Sequence, residues 1–195
     1  ASLTYQQFCD CVAAYSKTTA GGTPPTPSES TYNDFNTYAA QGYGLNEQVM
    51  MLSNMIWETG GLQYLSENCS SDSCSSYGNY YGRGYLQLTW QDNYTNASTD
   101  IYSSDTLVNN PDQVAESPGS WQTAAWYWNK IVHPYITDSV LSSYDLGTSV
   151  KQINGSVECT SPCPSQPQNR LTIYNSCLST VGISGTGTLS GCCTS

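Results

Sequence analysis

Two of the fifteen acidic residues stand in unlike company. Glu58 shares a helical stripe with Met51 and Met55 and lies in the last turn before Gly60-Gly61. Apolar neighbours desolvate a charge, and a helix C-terminus adds negative potential, so both features favour the protonated acid. Glu67 follows nine positions later in a Ser/Asn-rich stretch where ionisation is easy. A proton donor paired with a carboxylate that stays charged is the minimum equipment for cleaving a glycosidic bond. Spacing alone leaves a plainer alternative open, with Glu58 in a surface salt bridge and Glu67 a solvated loop acid.

The run Tyr80-Tyr81-Gly82-Arg83-Gly84 sets adjacent aromatics beside an arginine flanked by glycines, which let backbone approach closely. Arg83 is expected to orient or charge-pair the carboxylates, and Tyr80 and Tyr81 to stack on sugar rings. The alternative is a glycine-rich turn with Arg83 on the surface. Gln87, Thr89, Asn93 and Tyr94 follow at spacings that line one cleft wall with neutral hydrogen-bonding groups, which suits an uncharged polysaccharide. Trp121, Trp126 and Trp128 read as core rather than as a sugar platform.

These residues need helices to position them. Thr4-x-x-Gln7 is a capping-box pattern and predicts a helix over 4–16. The Pro/Gly-rich stretch 21–28 cannot continue it and forms a short stiff link. Tyr32, Phe35, Tyr38 and Ala39 recur at helical spacing up to Gly42. Asn46 is expected to cap a helix carrying Val49, Leu52 and Ile56, which Gly60-Gly61 ends. Residues 62–84 read as ordered loop, and Tyr85–Trp90 as a short strand. Ser120 is expected to cap a helix through Trp121, Ala124, Ala125 and Trp128. A last helix from about Gln168 groups Leu171, Tyr174 and Leu178 and stops near Gly182. The reading is a mainly α chain with a small β element, one catalytic domain over 1–195 with a Gly/Ser-rich tail at 181–195.

Composition removes several classes. The net charge is −10 with no basic cluster, which argues against nucleic acid and anionic membranes as partners. No apolar run approaches the ~18–20 residues of a membrane span. A single histidine, His133, makes a histidine metal site or a His-dependent triad improbable. No cofactor or metal is expected, and a monomer is. Nine cysteines read as disulfides, with one thiol left over or paired outside the chain. The chain opens Ala1-Ser2-Leu3 without Met or leader, as a mature secreted, extracellular protein would. Sequons at Asn68, Asn93, Asn96 and Asn154 permit glycosylation.

Several blocks together resemble one family. Glu58-Thr59-Gly60-Gly61-Leu62, the second acid at Glu67, and Tyr80-Tyr81-Gly82-Arg83-Gly84-Tyr85-Leu86-Gln87-Leu88-Thr89-Trp90 are similar to the core of glycoside hydrolase family 19. So are Asn93-Tyr94, Trp121 to Asn129, Ile153 to Cys159, Asn169-Arg170 and Tyr174, in family order, and Thr31-Tyr32 resembles its second-helix element. The resemblance implies a lysozyme-like, bilobal helical domain with a substrate cleft, inverting the anomeric centre. It implies Glu58 as general acid, Glu67 as base and Thr89 as holder of the attacking water. Tyr81, Arg83, Gln87, Asn93 and Asn154 are then expected along or behind the subsites, with Arg170 reaching toward the centre. Asn93 and Asn154 are accordingly expected to stay unglycosylated. Three departures bear on substrate: Trp57 where the family has His, Tyr85 where chitinases have Pro, and Asp92 in place of an aromatic. The implied activity is endo-cleavage of β-1,4-linked N-acetylglucosamine polymers, chitin first. Peptidoglycan (a muramidase), chitosan, and non-catalytic chitin binding are the alternatives.

Overall fold

The computed structural model describes residues 1–69 and 72–193 and is built almost wholly of helices. Ser70, the third residue of the Asn68 sequon, and the last two tail residues lie outside the described residues. Helix α1 (Tyr5–Ala13) starts on the expected capping box, with Thr4 and Gln7 exchanging side-chain-to-backbone bonds. Helix α2 (Glu29–Asp34) is capped by Ser28 and runs into a π-helical turn, Phe35–Ala40.

Helix α3 (Leu45–Glu58) is the central element, buried on every side from Glu47 to Ile56. Buried polar side chains in its middle find partners: Ser53 donates to the Val49 carbonyl, Asn54 to Met50 and to Ser149. Gly44 occupies the cap position, not Asn46. Asn46 instead donates to the Leu141 carbonyl and accepts from the Tyr174 hydroxyl, because a buried phenol needs a partner. The helix stops at Gly60 and Gly61, both at positive φ, where the Gly61 N–H bonds the Ile56 carbonyl. A Cβ at Gly61 would stand 2.4 Å from Pro24 Cβ, so the Pro/Gly link docks against this turn.

Helix α4 (Gln91–Tyr102) and the single turn α5 (Thr106–Asn109) enclose a second, smaller core of Leu88, Tyr94, Ala97, Leu107 and Val114. Helix α6 (Gly119–Tyr127) extends as a π-helical turn to Val132 and buries Trp121, Ala124 and Trp128, as their spacing predicts. Ser120 is not its cap; it lies buried inside the first turn, after Pro118. Helix α7 (Asp138–Ser142) leads to α8 (Leu146–Glu158) and α9 (Gln166–Thr180), whose Leu171, Tyr174 and Leu178 face the main core.

The expected strand at 85–90 is a tight turn. Arg83 and Leu88 exchange both backbone bonds, and Gly84, Gln87 and Trp90 take positive φ. With Leu86 in the main core and Leu88 in the small one, an extended alternation has no single face to bury. Pairing among the described residues is limited to the isolated bridges Ser66–Arg83, Arg83–Leu88 and Asp145–Thr188.

Disulfides join Cys69–Cys74, Cys159–Cys192 and Cys163–Cys193. Three cysteines rather than one therefore remain as thiols. Cys11 and Cys177 are fully buried and serve as small apolar core residues, while Cys9 is partly exposed.

Candidate active site

A groove of about 600 Å³ opens at the seam of the two cores. Leu86 of the large core, Leu88 of the small one, and Tyr127, which packs against both, share its lining. Glu58 and Glu67 lie on the same groove.

Glu58 reaches it from the last turn of α3. Its Oε1 accepts from Arg170 Nη2 at 2.5 Å. Arg170 is fully buried on α9; its Nε and Nη2 also donate to the two oxygens of Glu158 at 2.9 and 2.7 Å, and Nη1 donates to Asn54 at 3.1 Å. Burial by itself pulls the guanidinium down, but the Glu58 and Glu158 carboxylates outweigh it and raise it above its ordinary value. Glu158, 1% exposed at the end of α8, further accepts from Asn154 at 2.9 Å. Helices α3, α8 and α9 are thus tied together beneath the groove. The apolar surroundings expected for Glu58 are not what its carboxylate meets. Met51 and Met55 turn fully into the core, while the carboxylate turns to Arg170.

Glu67 is exposed and forms no salt bridge among the described residues. Its backbone N–H donates to Gly82 O at 2.8 Å, and its Oε1 accepts from Gly82 N–H at 3.0 Å. A Cβ on Gly82 would lie 3.1 Å from that oxygen and 2.9 Å from Gln87 Oε1, so a side chain here would push on both groove residues.

Gln87, Thr89 and Asn93 form one wall. Gln87 donates to Gly84 O, the Thr89 hydroxyl to Gln87 O, and Asn93 to Thr89 O, at 2.8–2.9 Å. Each bond spends a donor and leaves an acceptor for a ligand. Asn154 also lines the groove, at a break in α8 where its φ is −150°.

Tyr81, Arg83, Tyr94 and Arg170 do not line it. Arg83 is buried in the small core, where it donates to Asn79 O and the Tyr94 hydroxyl, pairs with Asp112, and lies 3.7 Å over the Tyr81 ring. Burial pushes the Tyr94 phenol up to about 12. Tyr80 donates to Val108 O. This cage engages both terminal nitrogens of the guanidinium and leaves Nε without a hydrogen-bond partner among the described residues, so Arg83 turns from the carboxylates and takes the tyrosines with it. The three departures likewise miss the lining: Trp57 packs on Tyr15, Tyr85 stacks on Trp121 at 3.6 Å, and Asp92 is exposed.

Sequence reasoning passed over Glu158, Asn54, Tyr77 and Trp90. Glu158 stands four after Asn154, a helical spacing that would have flagged it had α8 been recognised. Tyr77 and Trp90 line the groove with rings 4.5 Å apart. Trp90 is 51% exposed and takes a φ of +77°, unusual for a bulky residue.

A helical scaffold in two lobes, with two carboxyls on a polar groove between them, is a layout of the lysozyme-like glycoside hydrolase class. A family model described as chitinase class I, glycoside hydrolase 19, matches residues 10–191. The chain belongs to glycoside hydrolase family 19. It is similar to the structure of a bacterial family 19 chitinase, at 28% identity and TM-score 0.66 over 95% of this chain and 98% of that one. Chitinase C from Streptomyces griseus gives 26% and 0.66 over 93% and 80%. Chitinase 6 of Oryza sativa subsp. japonica is 37% identical over 112 residues, 57% of this chain and 39% of the relative. Endochitinase EP3 of Arabidopsis thaliana is 35% identical over 121 residues, 62% of this chain and 41% of the relative. The chain spans about two-fifths of the length of these curated relatives.

Proposed function

We propose that the chain is a secreted endo-acting glycoside hydrolase that cleaves β-1,4-linked N-acetylglucosamine polymers, chitin first, with inversion. The carrying observation is that Glu58, tethered to Arg170, and Glu67, with no salt bridge among the described residues, lie on one groove. Glu58 gives its proton to the leaving glycosidic oxygen as the C1–O bond breaks. Water attacks C1 from the other face and passes its proton to Glu67. Arg170, Glu58 and Glu158 carry one positive and two negative charges when all are ionised. One proton therefore neutralises the cluster without depriving the buried guanidinium of a partner.

The Thr89 hydroxyl, which donates to Gln87 O, can accept from the attacking water. The free oxygens of Gln87, Asn93 and Asn154 accept from sugar hydroxyls and acetamide N–H groups. The Trp90 ring supports the apolar face of a pyranose. Tyr81 and Arg83 act from behind, as anchors of the segment whose Gly82 holds Glu67. The relatives named as chitinases support the substrate class. Three disulfides suit an oxidising compartment, and no described helix is long and apolar enough to cross a membrane. The chain acts as one catalytic domain and as a monomer.

The test follows reducing ends and product anomers on chitin oligomers and, in parallel, on Gram-positive cell walls. The reading expects α-anomers first from chitin oligomers, and kcat reduced about 10²- to 10⁴-fold in Glu58→Gln and in Glu67→Gln. Undiminished activity in either variant, or β-anomers first, overturns the mechanism. Cleavage of cell walls alone replaces chitin with peptidoglycan, and loss of all cleavage with retained binding leaves a chitin-binding protein.

A further inference from the structure

The chain has five basic side chains, and four are engaged. Arg83 pairs with Asp112, Lys130 with Asp100, Arg170 with Glu58 and Glu158, and Lys17 bonds Ser176 on α9. Lys151 differs: among the described residues its ammonium meets neither a carboxylate nor a hydrogen-bond acceptor, it is exposed, and it lines the groove. Its stem runs along α8 beside Gly155, where an added Cβ would come within 3.3 Å of Lys151 Cγ. Gly155 and Asn154 line the same groove, so the missing side chain at 155 lets the lysine lie along this wall.

A neutral amide wall alone does not distinguish an acetamido sugar from one with a free amine. An ammonium on that wall does. We propose that Lys151 is a specificity-determining residue that disfavours a protonated glucosamine unit at the seat against α8 and admits the N-acetylated one. The inference rests on the glycan-cleaving reading and selects within it against chitosan. The molecule's charge of −10 draws a cationic polymer near. At contact range inside the groove, the like charge of Lys151 acts in the opposite direction.

The experiment compares kcat/KM on a fully N-acetylated hexamer and on a partly deacetylated hexamer, at mildly acidic pH where the free amines carry protons. Wild type, Lys151→Gln, Lys151→Arg and Lys17→Gln are run at low salt and at 1 M salt. One charge at such range predicts that Lys151→Gln lowers the acetylated-to-deacetylated ratio about three- to tenfold at low salt. At 1 M salt, with a screening length of ~3 Å, the shift shrinks toward none. Lys151→Arg, which keeps the charge, holds the wild-type ratio. Lys17→Gln makes the same change in net charge away from the groove and also holds it. An unchanged ratio in Lys151→Gln overturns the proposal, and so does an equal shift in Lys17→Gln. If wild type cleaves neither hexamer, the hydrolase reading fails separately. The ratio of the two dissociation constants in the same variants then decides the role of Lys151.

Discussion

Among the described residues Glu67 is held by the backbone of Gly82 rather than by a side chain. Gly82 both accepts from the Glu67 amide and donates to its carboxylate, and Gln87 fills the remaining space beside Gly82. A single methyl group at position 82 must therefore displace one of two groove residues. We expect Gly82→Ala to lower kcat about 100-fold, as a base moved by about an ångström would, with the circular dichroism of the fold unchanged. Activity within twofold of wild type would show that this contact does not place the base. Glu58 is held differently, by a charge from a residue 112 positions away in sequence, with Glu158 securing the other side of the same guanidinium.

Helix α8 depends on the chain's tail more than on its own sequence. Gly147, Asn154 and Gly155 are poor helix formers, and the helix breaks at Asn154. The tail compensates at both ends. Thr188 bridges to Asp145 and Gly191 bonds its carboxylate at the start, while Cys192 and Cys193 staple Cys159 and Cys163 just past the finish. These bridges span 33 and 30 residues, and chain-entropy arguments assign each about 3–4 kcal/mol. The Cys192→Ser/Cys193→Ser double variant is expected to melt at least 10 °C lower and to lose kcat at temperatures where it is still folded, since Asn154 and Glu158 sit on the loosened helix. Thermal melts and rates measured together check this. An unchanged melting temperature would mean the tail packs without its staples.

For the molecule as a whole, sixteen tyrosines and few charges make high pH the informative stress. Burial, aided by nearby carboxylates, pushes Tyr43 and Tyr85 up to about 12, and burial, against the pull of Arg83, does the same for Tyr94. An unfolded tyrosine titrates near 10. A phenol raised in the folded state contributes stability that is complete below pH ~10 and is lost as pH climbs to about 12 and through it. The melting temperature should hold up to about pH 9.5 and fall between 10 and 12. Absorbance at 295 nm should show a late group of phenols ionising only as near-ultraviolet dichroism disappears. All sixteen titrating together near 10 in a folded protein would contradict the burial of these three.

What the residues themselves determined is local. Thr4-x-x-Gln7 names the start of α1, Gly60-Gly61 the end of α3, and the tryptophan spacing the buried face of α6, because capping bonds and helical periodicity act within one or two turns. That Glu58 stands at a helix end and Glu67 in the loop after it was legible for the same reason, but the arginine that meets the Glu58 carboxylate was not. Cysteine count and low charge pointed to disulfides, but which sulfurs pair needs the chain's path. Tertiary structure alone turned Arg83 into the small core and Asn46 from a cap into a partner for Tyr174. It also set Arg170 between two acids from different helices. Those outcomes join residues far apart in the chain, where burial forces each polar group to find a partner that local sequence does not name.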